Sequence, residues 1–148
     1  MITTGTISDI LRTKGSHVWT IAPDATVFDA IKLMDEKNVG ALLVMKGETL
    51  AGIISERDYT RKVALKGRSS KDITVSEILS SRVLSVTSNH SVEECLRLMT
   101  ENHFRHLPVV ENNKVLGIVS IGDLVNHVIS EQSSTIQQLQ TYITGLPG

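Results

Sequence analysis

The segment from Val18 to Val63 recurs as Val83 to Val128 at a constant offset of 65 residues, with no gap. Identities fall at Val18, Val27, Leu33, Met34, Glu36, Leu42, Val44, Gly52, Ile53, Ser55, Asp58 and Val63. Conservative pairs such as Ile21/Val86 and Lys32/Arg97 fill much of the rest. The likeness reaches upstream, where "ISDIL" (Ile7 to Leu11) matches "VSEIL" (Val75 to Leu79) at an offset of 68. The first copy therefore carries three extra residues between Leu11 and Val18, around "TKGSH". The chain must be built from two copies of one supersecondary unit, each too small to cover its own sheet.

Both copies predict the same string of elements. A helical turn ("ISDIL" or "VSEIL") comes first, then a short strand at Val18 to Ile21 or Val83 to Val86. Val27, Ala30, Ile31 and Met34 lie at helical spacing, as do Val92, Cys95, Leu96 and Met99. Thr26 and Ser91 precede these faces and are placed to cap them. A hairpin follows, Ala41 to Met45 and Leu50 to Ser55 across "KGET", with "ENNK" as the second turn. A second helix then runs near Glu56 to Lys66 and Ile121 to Ser130. The fold class is α+β, from two β-α-β-β-α units that can pack face to face and share a core. The repeats span 6–66 and 75–130, with a polar linker at 67–74 and a tail at 131–148. In the tail Ile136, Leu139 and Ile143 form an apolar stripe that needs a partner, the main body or a second chain.

Composition narrows the function. A net charge of −1 and a pI near 6.5 lack the basic surplus of a nucleic-acid binder. The longest apolar run, Ala41 to Met45, is too short to span a bilayer, and "MITTGTISDIL" has no signal-peptide pattern. A cytoplasmic location is expected. The one cysteine, Cys95, sits at an apolar helix position and reads as a buried, inert thiol. No nucleophile is paired with a base, and no Walker-type phosphate loop is present, so an enzyme is not expected. His103 and His106 in "HFRH" lack the further ligands of a tetrahedral metal site and read as facing solvent or phosphate. Trp19 reads as core or rim packing.

The two copies of Gly-apolar-apolar-Ser-x-x-Asp, "GIISERD" and "GIVSIGD", have two readings. Ser-x-x-Asp at a helix start resembles a capping box with aspartate in the usual glutamate position. The same carboxylate suits a ribose, because it can accept a hydrogen bond from each of two adjacent hydroxyls.

The duplicated unit closed by this motif resembles the CBS domain (the cystathionine β-synthase domain), two of which make a Bateman module. "DAIKLM", "GALLV", "SERDYTRKV", "RHLPVV" and "SIGDLV" share the character of small stand-alone CBS-pair proteins of bacteria and plant organelles. The resemblance covers about Thr6 to Ser130. It implies a pseudo-twofold module and a homodimer formed through the long helices. It also implies a bound AMP, ADP, ATP, NAD or S-adenosylmethionine in clefts between the copies. Such a module senses an adenine nucleotide and acts on an effector protein; the alternative is a structural dimerisation scaffold with degenerate sites.

Carried onto this chain, the first site comprises Lys14, Gly15, Ser16, Trp19, Val39, Gly40, Ala41, Arg105, Ser120, Gly122 and Asp123. The second comprises Ser55, Arg57, Asp58, Ser80, Leu84, Phe104, Arg105 and His106. Gly40 and Ala41 would let adenine slide in, whereas Phe104, Arg105 and His106 crowd the matching slot. The Asp123 site is therefore expected to be the better one, with Arg105 on its phosphate. An arginine favours a phosphate-bearing ligand over S-adenosylmethionine.

Overall fold

The computed structural model describes residues 5–15, 17–79 and 83–144. In chain order these form α1 (Ile7–Lys14), β1 (Thr20–Ile21), α2 (Val27–Lys37), β2 (Ala41–Lys46), β3 (Thr49–Ser55) and α3 (Glu56–Tyr59). A π-helical turn, Thr60–Ala64, prolongs α3. Then come α4 (Val75–Ile78), α5 (Val92–Asn102), β4 (His106–Glu111), β5 (Lys114–Ser120) and α6 (Ile121–Thr144). Ser16 and Ser80 lie outside the described residues.

Each repeat centres on an antiparallel hairpin, β2–β3 or β4–β5, with a register shift at the matching point, Val44/Met45 or Val109/Val110. The turns differ in chemistry. Asn112 and Asn113 both hold positive φ, 51° and 62°, as a two-residue I′ turn requires. The first turn uses Gly47 at φ 62°. Thr26 and Ser91 cap α2 and α5 as expected, accepting from the N–H groups of Asp29 (3.1 Å) and Glu94 (3.0 Å).

The strand expected at Val83 to Val86 is reduced to a single parallel bridge, Val86 to Val109. In the first repeat β1 pairs in parallel with β2, and the Leu43 N–H donates to the Trp19 carbonyl at 3.1 Å. The residue matching Leu43 is Pro108, which has no N–H to give. One proline thus removes a rung and shortens the strand.

The copies do not share one core. All the described buried hydrophobic side chains but Ala41 and Leu43 fall into two clusters, and each is completed by the other repeat's leading helix. Val27, Ala30, Met34, Leu42, Val44, Ile54 and Val63 of the first repeat enclose Ile73, Val75 and Ile78, from and just before α4. Val86, Val92, Cys95, Met99, Leu107, Val109, Val119 and Leu124 of the second enclose Ile7 and Ile10 of α1. Backbone bonds seal both exchanges. Ile7 N–H reaches the His90 carbonyl at 3.0 Å, and Val92 N–H the Gly5 carbonyl at 3.2 Å. In the mirror position Val27 N–H reaches Ile73 at 2.9 Å, and Val75 N–H reaches Ala25 at 2.8 Å. The motif glycines make room for this packing. A Cβ on Gly117 would stand 2.8 Å from Leu11 Cδ2, and one on Gly52 3.3 Å from Leu79 Cδ1.

Cys95 is fully buried, and burial pushes its thiol up to about 11, so it is no nucleophile at neutral pH. The tail is not a separate helix. No proline or glycine interrupts the chain between Gly122 and Gly145, and α6 runs through to Thr144. Leu124 of α6 is buried, while Val125, Ile129, Ile136 and Leu139 are exposed. The Ile143 side chain lies outside the described ones. No described helix is long and apolar enough to cross a membrane.

Candidate functional site

Both Ser-x-x-Asp motifs form helix caps. Ser55 N–H donates to Asp58 Oδ2 at 2.9 Å, and Asp58 N–H donates back to Ser55 Oγ at 3.2 Å. Ser120 and Asp123 repeat the pair at 2.8 and 3.1 Å. The cap uses one carboxylate oxygen, and at Asp58 it leaves the other, Oδ1, in a cleft between the repeats. The cap and ligand readings are therefore compatible. The wall opposite each carboxylate is tied to the neighbouring helix start. Glu56 N–H donates to the Gly40 carbonyl at 3.1 Å, and Ile121 N–H to the Arg105 carbonyl at 2.9 Å.

The Asp58 cleft has a volume of about 410 Å³. Small-molecule sites run from roughly 300 to 1,000 Å³. The first repeat contributes Gly40, Gly52, Ile53, Ser55, Glu56, Arg57, Asp58, Arg61 and Lys62. The second contributes Val83, Leu84, His103, Phe104, Arg105 and His106. Apolar Ile53, Leu84 and Phe104 thus stand beside Asp58 and four cations. Asp58 Oδ1 faces Lys62 Nζ at 3.6 Å, too long for a hydrogen bond. Lys62 instead donates to the Ile78 carbonyl at 2.8 Å, which links the α3 turn to α4. Sequence reasoning missed Arg61 and Lys62. They follow Asp58 by three and four residues, which puts them on its helix face, so the signal was present.

The Asp123 cleft is smaller, about 280 Å³. Lys14, Trp19, Val39, Gly40, Ala41 and Ser120 line it, together with His17, Val18, Asn38, His106 and Ile118. Its carboxylate is already engaged. Lys14 Nζ lies 2.6 Å from Asp123 Oδ2 and 2.9 Å from the Ile118 carbonyl. Gly15, Gly122 and Asp123 itself do not line it; Gly15 ends α1 at φ 92°, Gly122 lies in the first turn of α6, and Asp123 meets the cleft through Lys14, which does line it.

Two expectations need correction. Arg105 was expected in both clefts but lines only the Asp58 cleft. The expected crowding by Phe104, Arg105 and His106 does not occur. Phe104 leans on the second core, Arg105 is exposed, and His106 turns toward Gly40. The slot expected to be crowded is the larger of the two.

His106 borders both clefts, and a Cβ on Gly40 would stand 3.7 Å from its ring. Burial lowers its pKa, and so do Lys14 and Arg105, against the opposing pull of Asp123 and Asp58. His103 caps the end of α5 at φ 59°. Among the described residues no cluster of His, Cys, Asp or Glu is placed to hold a metal ion.

Burial alone would raise the Asp123 carboxyl, but the Lys14 hydrogen bond and charge, with the Ser120 N–H, outweigh it and hold it low. A depressed folded pKa adds stability that is full above the unfolded value, about 3.9, and is lost as pH falls through the folded one. Stability measured from pH 6 to 2 is therefore expected to fall more steeply in the wild type than in Lys14→Met. Identical acid limbs would show that the pair adds nothing.

The sequence profile of the CBS domain matches residues 6–65 and 75–130. The CBS domain-containing protein CBSX3, mitochondrial, of Arabidopsis thaliana is 45% identical over 150 residues, covering 95% of this chain and 72% of its own. A protein with CBS domains from Burkholderia ambifaria has a solved structure with 48% identity and a TM-score of 0.83, covering 86% of this chain and 96% of its own. The CBS domain pair of protein MJ0100 was solved in complex with 5′-methylthioadenosine and S-adenosyl-L-methionine. It is 22% identical, with a TM-score of 0.72, covering 84% of this chain and 95% of its own.

Proposed function

The chain belongs to the CBS-domain family as a tandem pair, a Bateman module, and from that premise we propose that it binds an adenine nucleotide between its repeats and signals this to a partner protein. The observation that carries the reading is the Asp58 cleft. A capped carboxylate stands there among Arg57, Arg61, Lys62 and Arg105, beside apolar Ile53, Leu84 and Phe104. The carboxylate suits a ribose diol, the cations suit phosphates, and the apolar side chains suit a purine. Four cations favour AMP, ADP, ATP or NAD over the positively charged S-adenosylmethionine. The MJ0100 pair holds two adenosine-containing ligands, which supports an adenosyl ligand here.

A ligand gripped by both repeats changes how one leans on the other. The exchanged helices carry that change into both cores, which is the two-state element a regulator needs. Exposed Phe28 of α2 and Ile121, Val125 and Ile129 of α6 offer the contacts of a homodimer. The proposal includes a cytoplasmic setting. The Lys14–Asp123 pair favours a second reading, a scaffold whose Asp123 site is degenerate.

Thermal unfolding with AMP, ADP, ATP, NAD and S-adenosylmethionine separates the two. A ligand at a hundredfold excess over its Kd adds about 2.7 kcal/mol. For a chain of this length that raises Tm by about 5 to 10 °C. A rise with a nucleotide is expected; no rise with any of the five leaves the scaffold.

A further inference from the structure

We propose that Lys14 is the specificity-determining residue of the Asp123 cleft: its ammonium competes with ribose for the carboxylate and yields only to a ligand whose phosphate gives it a new partner. The inference rests on the nucleotide reading above and adds to it which adenosine-containing ligands this cleft accepts.

Lys14 Nζ bonds Asp123 Oδ2, the oxygen that also completes the cap, at 2.6 Å and the Ile118 carbonyl at 2.9 Å, so a tethered cation offsets the charge of the carboxylate a ribose diol needs. Lys14 is exposed, and Asp123 is half-buried. Adenosine drawing on this carboxylate would weaken the pair and bring the ammonium no anion in exchange. A nucleotide brings its own anion. Its 5′-phosphate is joined to the same ribose that meets Asp123, and a lysine's flexible four-carbon stem can turn from one to the other. No other lysine or arginine is among the described residues lining this cleft. Arg105 lines the other cleft. Lys37 is close, 4.4 Å from the Trp19 ring centroid, but does not line the cleft. The phosphate therefore depends on Lys14.

The asymmetry has a plain origin. Lys14 ends α1, at the edge of the stretch in which the first repeat carries its three extra residues. At Asp58 the nearest lysine, Lys62, comes from the same helix face and stands off at 3.6 Å, so that carboxylate is not plugged.

Trp19 is the chain's one tryptophan and lines this cleft, so its fluorescence reports on it locally. AMP and adenosine are titrated into the full chain, as wild type, Lys14→Met, Lys14→Arg and Lys37→Met. Wild type is expected to prefer AMP by at least about tenfold, the worth of one charge-assisted bond. In Lys14→Met AMP binds more weakly and adenosine more tightly, and the preference shrinks to within about threefold. Lys14→Arg and Lys37→Met keep it. A wild-type preference below about threefold, or one that survives Lys14→Met, overturns the inference alone. So does a silent Trp19 while AMP still raises Tm, which leaves nucleotide binding at Asp58 standing. No binding by either readout overturns both.

Discussion

Replacing Ile7 with alanine is expected to cost about 2 to 5 kcal/mol, as burial of a large aliphatic side chain implies. The loss is expected in the second repeat, although Ile7 belongs to the first. Ile7 is fully buried, and its neighbours are Val86, Val92, Cys95, Met99, Leu107 and Leu124. A domain of this size has a total stability of about 5 to 15 kcal/mol, so the loss is a large share. Denaturant unfolding will show a lower midpoint. Amide exchange will show where the damage falls: protection drops first in α5, β4 and β5, and less in β2 and β3. Val75→Ala should give the mirror result, because Val75 is buried in the first repeat's cluster. If Ile7→Ala instead loosens β2 and β3 first, the helix exchange is wrong.

Much of this fold was legible because a 65-residue offset makes each copy a check on the other. Helices, caps and hairpins came from spacing that occurs twice. The exchange of α1 and α4 did not. Ile7 and Val75 occupy matching positions with matching neighbours, so periodicity marks them as apolar without saying which sheet they cover. That is settled by contacts far apart in the chain, Leu11 on Gly117 and Leu79 on Gly52. The short pairing at Val86 was readable in principle, from Pro108 opposite Leu43. The continuous α6 was readable too, from the lack of a breaker after Gly122.

At the site, the carboxylates and their caps were readable, but the ranking of the clefts was not. The alignment pairs Gly40 with Arg105 and so reports a difference in bulk. It does not report that Phe104 leans on a core, or that Arg105 faces the opposite repeat's carboxylate cleft. The pairing of Lys14 with Asp123 spans 109 positions and starts from a stretch where the two copies differ in length. No comparison of the copies could foretell it.

The second large effect concerns Asp58. Its Oδ2 completes the cap of α3, and its Oδ1 faces the cleft. Asp58→Asn keeps an acceptor for the Ser55 N–H and so keeps most of the cap. It removes the charge and puts an amide donor where two hydroxyls need an acceptor. Two charge-assisted bonds are weakened, each worth about 1.5 to 3 kcal/mol. About a hundredfold loss of nucleotide affinity follows. Asp58→Ala removes the cap as well and adds about 1 kcal/mol of lost stability, which makes Asn the cleaner variant.

Calorimetric titration of AMP, ADP, ATP and NAD into wild type and Asp58→Asn is the most direct test that the chain holds a nucleotide between its repeats. The predicted result is a wild-type site that Asp58→Asn weakens about a hundredfold while the folded state survives. Equal affinity in the two proteins, or no binding of any of the four to wild type, would contradict it.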